Sequence, residues 1–421
     1  MATKKLLNSI LIVSISLLVF SCGKRTETKE SPPEVGMEVI VEKEILPSTN
    51  NYDEISLIEE EINYEEYDNN VSSHKSDPAN PSFSGGNGSK ESPYLISSNS
   101  DWEAFSIAVA AGNDYVDEYF LLTQNLSGVS AIIGLNPNYT ETWNKAVIIT
   151  QPFKGTFDGR GHTITVNITE KNTVNMEWGL FAYLKNATVR NLNVSGNISI
   201  LGDITGKYIK SMVGVICLSA EKSNITNCHN SADISIKDLR YAGIGGICYL
   251  AKQSAHISRC SNTGNITVFF KQNKFSHSLS CCIGGVCGQA DWDNDSGPSA
   301  IIADCYTKGN IIVTSEERIF SCSVGGIIGT LYRSPHSIVK NCFAGNERIK
   351  ISTVRADGTP SHSSKDDISV HRISGDGNDK SINNCYASPS MVINGSPRRN
   401  DNASSKDGKD SSFEDFKNNQ E

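Results

Sequence analysis

The sequence predicts an all-β chain wound as a parallel β-helix, a solenoid with a small helical cap at its N-terminal end. Three observations predict it. Short apolar strings recur along the chain while the polar segments between them change length. Long stretches of helical period are absent, and turn residues return at intervals that suit many short strands. One amphipathic segment with helix-capping residues precedes the repeats.

The first string carries glycine. It reads Trp178-Gly179-Leu180-Phe181, Val213-Gly214-Val215-Ile216-Cys217, Ile244-Gly245-Gly246-Ile247-Cys248, Ile283-Gly284-Gly285-Val286-Cys287 and Val324-Gly325-Gly326-Ile327-Ile328. A second string follows each: Val189-x-x-Leu192, Ile225-x-x-Cys228, Ile257-x-x-Cys260, Ile302-x-x-Cys305 and Val339-x-x-Cys342. A sixth, Ile382-x-x-Cys385, has no clear glycine partner. Several repeats add a third string, as in Gly196-Asn197-Ile198, Ala232-Asp233-Ile234, Gly264-Asn265-Ile266 and Gly309-Asn310-Ile311. Successive cysteines of the second string are 32, 45, 37 and 43 residues apart. Fixed strings with variable spacers are the mark of a solenoid, in which each repeat is one coil and insertions leave on one side.

Coils about 4.8 Å apart stack equivalent side chains into columns. A spacing of three cannot point both Ile and Cys inward along a plain strand of period two. A bend between them restores the fit. Asn227, Asp304, Asn341 and Asn384 stand just before the cysteine, with Arg259 the exception, and short polar side chains suit such a bend.

Cys228, Cys260, Cys305, Cys342 and Cys385 then form one column. Cys217, Cys248 and Cys287 form another, which Ile328 continues. Exchange of Cys with aliphatic residues in one column indicates a small buried hydrophobe. Parallel Cβ vectors hold the Cβ atoms near the strand spacing, above the ~3.5–4.5 Å of a disulfide, so reduced ladders are expected. Zinc is not expected, because the cysteines recur singly and no C-x-x-C knuckles pair up.

Residues 81–168 read as the cap and first coil. Ser100 is expected to cap a helix and Glu103 to reach back to it. Trp102, Phe105 and Val109 share a face, and Gly112 ends the helix. The string Phe153-Lys154-Gly155-Thr156-Phe157-Asp158-Gly159-Arg160-Gly161-His162-Thr163-Ile164 reads as a tight, hairpin-like corner leading into the repeats of 169–393.

The ends read differently. Lys4 and Lys5, an apolar run to Phe20 and then Ser21-Cys22 form an export signal over residues 1–21, too short to span a membrane. The Cys after Ser21 resembles the lipobox of bacterial lipoproteins. That resemblance implies cleavage before Cys22 and lipid on its thiol and new amino terminus. Several acyl chains would hold the chain at a membrane, where one alone binds marginally. Residues 22–80 read as an acidic, disordered stalk. From 23 to 80 there are 15 Asp/Glu against 5 Lys/Arg, a net of −10, while the whole chain is −9. The remainder is therefore near neutral, and nucleic acid is not an expected partner. Residues 394–421 read as a polar, unstructured tail with a short last helix near Phe413 and Phe416.

Phe83-Ser84-Gly85-Gly86-Asn87-Gly88 with Pro93-Tyr94-Leu95-Ile96, the FKGTFDGRGHTI string and the repeated GGI strings together resemble bacterial surface proteins with the GLUG motif. These are adhesin-like repeat proteins, abundant as lipoproteins in gut Bacteroidetes. The resemblance covers roughly residues 83–393. It implies a right-handed parallel β-helix and an extracellular setting, and no single activity. GLUG repeats also accompany IgA-cleaving metallopeptidases, whose catalytic part carries a zinc-binding H-E-x-x-H. No His here is followed by Glu. Gly23-Lys24-Arg25 departs from the early acidic residues that resemble a surface-export signal in this group. The expectation is a lipid-anchored protein of the outer membrane at the cell surface, with the periplasmic face as the alternative.

Three features could carry chemistry. Asp291, Asp293 and Asp295 alternate as calcium ligands do, but Gly297 comes one place late and the twelfth position is Ile302 rather than a closing Glu. Calcium is thus a weak candidate against a solvated insertion, and no cofactor is expected. Trp292, Tyr249, Tyr332, Tyr306 and Phe343 lie in or beside the loops, where aromatics stack on sugars or a protein partner, or simply pack over the coil. Asp158, Asp233 and Asp304 are dispersed at turn positions, unlike the facing carboxylates of a glycosidase. The expectation is a non-enzymatic envelope protein that binds a glycan or a host or matrix protein. A polysaccharide lyase or hydrolase on the same scaffold, and a purely structural protein, are the alternatives.

Overall fold

The computed structural model describes residues 81–134, 151–172, 176–202, 210–271, 279–290, 299–316, 319–331, 336–353, 367–377 and 379–418. Cys22, the stalk and the Asp291–Asp295 loop lie outside them.

Each coil runs through five strand positions. In the third full coil these are Tyr241–Gly245, Cys248–Lys252, His256–Ser258, Ser261–Asn262 and Ile266–Phe270, called positions a to e. Every position pairs in parallel with its equivalents above and below. Thus Cys217 opposes Cys248, Cys248 opposes Cys287 and Cys287 opposes Ile328. The position-c sheet is the longest single column. Its nine strands run from Tyr94–Ile96 to Ile382–Asn383. The fold is a parallel β-helix, whose right-handed sense is the one expected of parallel crossovers.

Inward columns form one continuous core. Val189, Ile225, Ile257, Ile302, Val339 and Ile382 are buried at position c. Val213, Ile244, Ile283 and Val324 are buried at position a. The bend between Ile and Cys is real and has one geometry. Asn191, Asn227, Arg259, Asp304, Asn341 and Asn384 all have positive φ, between 49° and 54°. Asn and Asp tolerate this left-handed region. The same side chains bond from coil to coil: Asn227 Nδ2 to Asn191 Oδ1 at 2.8 Å, Asn341 Nδ2 to Asp304 Oδ1 at 3.0 Å, and Asn384 Nδ2 to Asn341 Oδ1 at 2.9 Å.

Both cysteine columns are buried free thiols. Burial pushes the thiols of Cys228, Cys305 and Cys342 well above the usual range, so they stay protonated. A disulfide occurs elsewhere, down a column at position a. Cys281 and Cys322 are direct register partners with Cα atoms 4.5 Å apart. The expectation that stacked cysteines stay reduced therefore fails at this pair, beside a register shift between Leu279 and Ser280.

The N-terminal helix α1 spans Asn99–Ala110 and starts earlier than expected. Ser98 is the cap, accepting from Asp101 N at 3.1 Å. Asp101 fills the reciprocal role expected of Glu103, since its Oδ2 accepts from Ser97 N at 2.8 Å and Ser84 Oγ at 2.8 Å. A buried carboxylate with several donors displaces the longer, exposed Glu103. The end at Gly112 is as expected: its φ is 108°, and Asn113 N bonds Ala108 O in a Schellman motif. Trp102 and Phe105 sit on Phe157 and Phe181 of the first coils. Phe153–Ile164 is not a hairpin. Thr156–Asp158 pairs with Tyr119–Leu121 and Thr188–Arg190, as any coil strand does.

The tail is ordered through residue 418, against expectation. Lys406 O accepts from Ile373 N, and Lys409 N bonds Cys385 O, so the tail covers the last coil. Arg372, 0% exposed, locks it. Its guanidinium donates to Asp410 Oδ1 at 2.6 Å, Asp407 O at 2.8 Å and Gly408 O at 2.8 Å. Helix α2, Phe413–Asn418, then lays Phe413 and Phe416 on Tyr306, Phe343 and Tyr386. At the other end, Ser84 N and Gly85 O bond Leu95 along the first strand.

Two predictions follow from these contacts. Asn341→Ala should lower stability by about 1–2 kcal/mol in denaturant titration while Asn341→Gly costs less, because glycine keeps the positive φ. Equal losses would sink the backbone account. Arg372→Met strands buried acceptors and should cost on the order of 3 kcal/mol. Limited proteolysis should then cut within 394–418.

Candidate functional site

The lengths of the corners locate the variable surface. The a-to-b turn holds two residues in every coil from Gly179-Leu180 to Arg372-Ile373, and the c-to-d turn also holds two, from Asn191-Leu192 to Asn384-Cys385. The e-to-a connections range from 3 residues (238–240) to 13 (354–366). The b-to-c connections range from 2 (186–187) to 10 (291–300). Both variable corners flank the same lateral face, the one made by strands a and b. Asp291, Asp293 and Asp295 belong to the 291–300 connection, between the strands that end at Ala290 and begin at Ile301, and lie outside the described residues.

The a-to-b turn brings the outer sides of the two strands together. A Cβ on Gly245, the last residue before the turn, would lie 1.8 Å from Cys248 O, so this position in the third coil admits only glycine. Ala182, Leu218, Tyr249 and Cys282 are buried here yet stand apart from the continuous core. Side chains exchange volume across the corner. Tyr249 lies over Gly243, where a Cβ would approach its ring to 2.4 Å. One coil on, Gly288 takes the tyrosine's place and Cys282 takes the glycine's, with Cys282 Sγ donating to Gly288 O at 2.9 Å. The Tyr241 and Tyr249 hydroxyls bond at 2.9 Å.

Glu177 stands in the outward column of strand a, in register with Met212, Gly243 and Cys282. Burial pushes its carboxyl from 4.5 up to about 7, against the opposing pull of Lys210. Burial also raises the Tyr249 hydroxyl, and Glu177 adds to that rise. On strand b, Tyr183 Oη donates to Glu221 Oε2, and Lys185 pairs with Glu221 Oε1 at 3.1 Å. The face thus offers a proton-exchanging carboxyl, phenol hydroxyls and one ion pair along the first three full coils.

The other residues singled out from sequence divide by location. Trp292 and Tyr332 lie outside the described residues, as do Asp291, Asp293 and Asp295. Among the described residues no cluster of three or more His, Cys, Asp or Glu could hold a metal. Tyr306 and Phe343 pack under helix α2 rather than facing a ligand. The carboxylates bond backbone and neighbouring side chains at strand ends and corners. Asp158 accepts from Arg160 N at 2.8 Å and pairs with Arg190 at 2.9 Å, and Asp233 accepts from Asn265 N at 2.7 Å. Sequence reasoning missed Glu177. Its signal was a lone acidic residue at the outward position of a string whose equivalents are Met212, Gly243 and Cys282.

Between about pH 4.5 and 7 the folded chain holds a proton on Glu177 that the unfolded chain releases. Its contribution to stability is therefore full below about pH 4.5 and lost as pH rises to about 7. Glu177→Gln should match the wild type near pH 4 and exceed it at pH 8 by up to about 3 kcal/mol. Parallel stability curves would show that Glu177 is solvated.

Neither a protein-family model nor a curated protein matches the sequence. Among solved structures, the fold is similar to a crystal structure described as a "putative immunoglobulin A1 protease" from Bacteroides ovatus. The two share 19% identity with a TM-score of 0.54, over 81% of this chain and 91% of the other. At that identity the likeness concerns the parallel β-helix.

Proposed function

We propose that this chain is a lipid-anchored protein of the bacterial cell envelope, held by Cys22 and an acidic stalk, whose β-helix binds a macromolecular ligand through its a–b face and the loops around it. The ligand class is an extracellular glycan or a host or matrix protein. The observation that carries this reading is that the longest connections, up to 13 and 10 residues, fall at the two corners beside one face. Loops carry function when a rigid scaffold positions them. The GLUG resemblance supports the envelope setting and the adhesin role. The lipobox-like Ser21-Cys22 supports lipid anchoring, and the reading places the chain at the outer membrane on the cell surface, with the periplasmic face as the alternative.

Binding is preferred to catalysis because the strings repeat, whereas a reaction centre is single. Hydrolysis is the second reading. Glu177, titrating near neutrality, favours it, since general acids and bases work best there. The neighbour's named activity supplies a test substrate.

The purified protein should be retained by a specific subset on arrays of host glycans, plant polysaccharides and matrix proteins. Calcium dependence of that retention would assign Asp291, Asp293 and Asp295 a ligand role. No retention would move the protein to an envelope scaffold. Cleavage of immunoglobulin A1 that is lost in Glu177→Gln would favour the enzyme. Cys22→Ser should move the protein from the membrane fraction to the soluble one.

A further inference from the structure

The a–b face is not uniform along the stack. Its charge changes sign between the first three full coils and the later ones. In the first three, strands a and b carry Lys185, Lys210 and Lys252 against Glu177 and Glu221. In the later coils the same strands carry no Lys or Arg among the described residues, and Asp367 and Asp376 stand at the far end. Lys185, Glu221 and Lys252 are register partners in adjacent coils, so they form one outward row on strand b. Lys222 follows Glu221 into the b-to-c corner and is exposed. Lys210 stands on the opposite wall, in register with Tyr241.

A crease runs between the two walls, because the a-to-b turn brings their outer sides together. Its floor on strand b is apolar, with Ala182 and Leu218 both buried. The Tyr241 and Tyr249 hydroxyls meet from the two walls and close this stretch in the third coil. Glu177 lies before that closure and makes no hydrogen bond among the described residues. Lys210 and Tyr249 are the titratable groups that act on it.

Charge narrows the occupant. Burial keeps Glu177 protonated up to about pH 7, so it neither cancels a lysine nor repels an anion. The strands then carry three lysines against Glu221 alone, and Lys222 adds a fourth. A cation would meet this surplus and find Glu177 uncharged. A neutral ligand would leave the lysines unused. An anion gains from them and can accept a hydrogen bond from the Glu177 carboxyl. Spacing narrows it further. Lys185 and Lys252 stand two ladder steps apart, about 9.6 Å. Charges set in a row at fixed steps suit a linear polymer that repeats its own acid groups, more than the irregular surface of a folded protein. Tyr183 and Tyr241, both half-buried, add aromatic surface on which sugar rings can stack.

We propose that the first three full coils of the a–b face bind an anionic polysaccharide, laid along the stack between Lys210 on one wall and the Lys185–Lys252 row on the other. This rests on the binding role given above to the face and names its ligand class.

The test titrates the purified full chain with oligogalacturonate, dextran sulfate and unmodified dextran by calorimetry. The first probe carries carboxylates, the second sulfates and the third no charge. Near pH 6 at least one anionic probe should bind saturably, added salt should weaken it, and dextran should not bind. Lys222→Gln together with Lys252→Gln should weaken binding about tenfold, the effect of two exposed ion pairs, with the melting temperature kept. Lys340→Gln, at an exposed lysine on strand c, should leave binding unchanged. Raising the pH from about 6 to about 8 should weaken binding about tenfold as Glu177 ionises, and Glu177→Gln should abolish that dependence. Dextran bound as tightly as the anionic probes, or equal losses in the Lys340 variant and the double variant, would overturn the ligand class. So would the absence of binding to both anionic probes, while retention on the matrix-protein arrays would then leave the adhesin reading in place. A pH dependence that persists in Glu177→Gln would overturn the part given to Glu177.

Discussion

Parallel stacking at about 4.8 Å is the constraint on which the rest depends. Each coil must repeat the backbone of the coil beneath it, or the ladder hydrogen bonds are lost. Departures from the common path are therefore expelled to places where the ladder does not run. Residues before the second-string cysteine take one left-handed geometry in six coils, even where the residue is Arg259. The a-to-b turn keeps two residues throughout, and a Cβ on Gly214, Gly245, Gly284 or Gly325 just before it would meet neighbouring backbone. What the ladder forbids at these corners it permits at the two beside strands a and b, and there the longest loops gather.

Inside the ladder, side chains have more latitude than backbone. The columns accept Ile, Val, Leu, Cys and Phe, provided that volume is filled. The Tyr249–Gly243 and Cys282–Gly288 exchanges extend this rule to the outer corner. A large residue on one strand is matched by a small one on its neighbour. Chemistry can enter the same way, as Cys281 and Cys322 show, where two stacked positions became a covalent link between coils.

Much of this was legible because the constraint acts on sequence at a fixed string length. The strings, the inward columns, the bend before cysteine and the helix face of Trp102, Phe105 and Val109 all repeat a local rule. What stayed hidden depends on distant partners. The helix begins at Asn99 because Asp101 collects Ser84 and Ser97, and nothing near Ser100 signals that. The tail is ordered because Arg372 reaches Asp407, Gly408 and Asp410 across more than thirty residues. Its own composition resembles a solvated chain. Glu177 escaped for the same reason. Its burial is set by neighbours that only the fold supplies.

A stack of coils contains no instruction for its own length. Its last strands present rows of unpaired N–H and C=O groups, the same template that each internal coil offers to the next. In this chain part of the open rows is covered at each end, by residues 84–85 along Leu95 and by the Arg372-locked tail over the last coil. The terminal segments therefore act as stops to growth, and the repeats between them as a ruler of adjustable length. Duplicating one coil would lengthen the lateral face by a single ladder step and leave both stops as they are. Size in such a molecule is set by its ends and reach by its middle, so selection can alter either without disturbing the other.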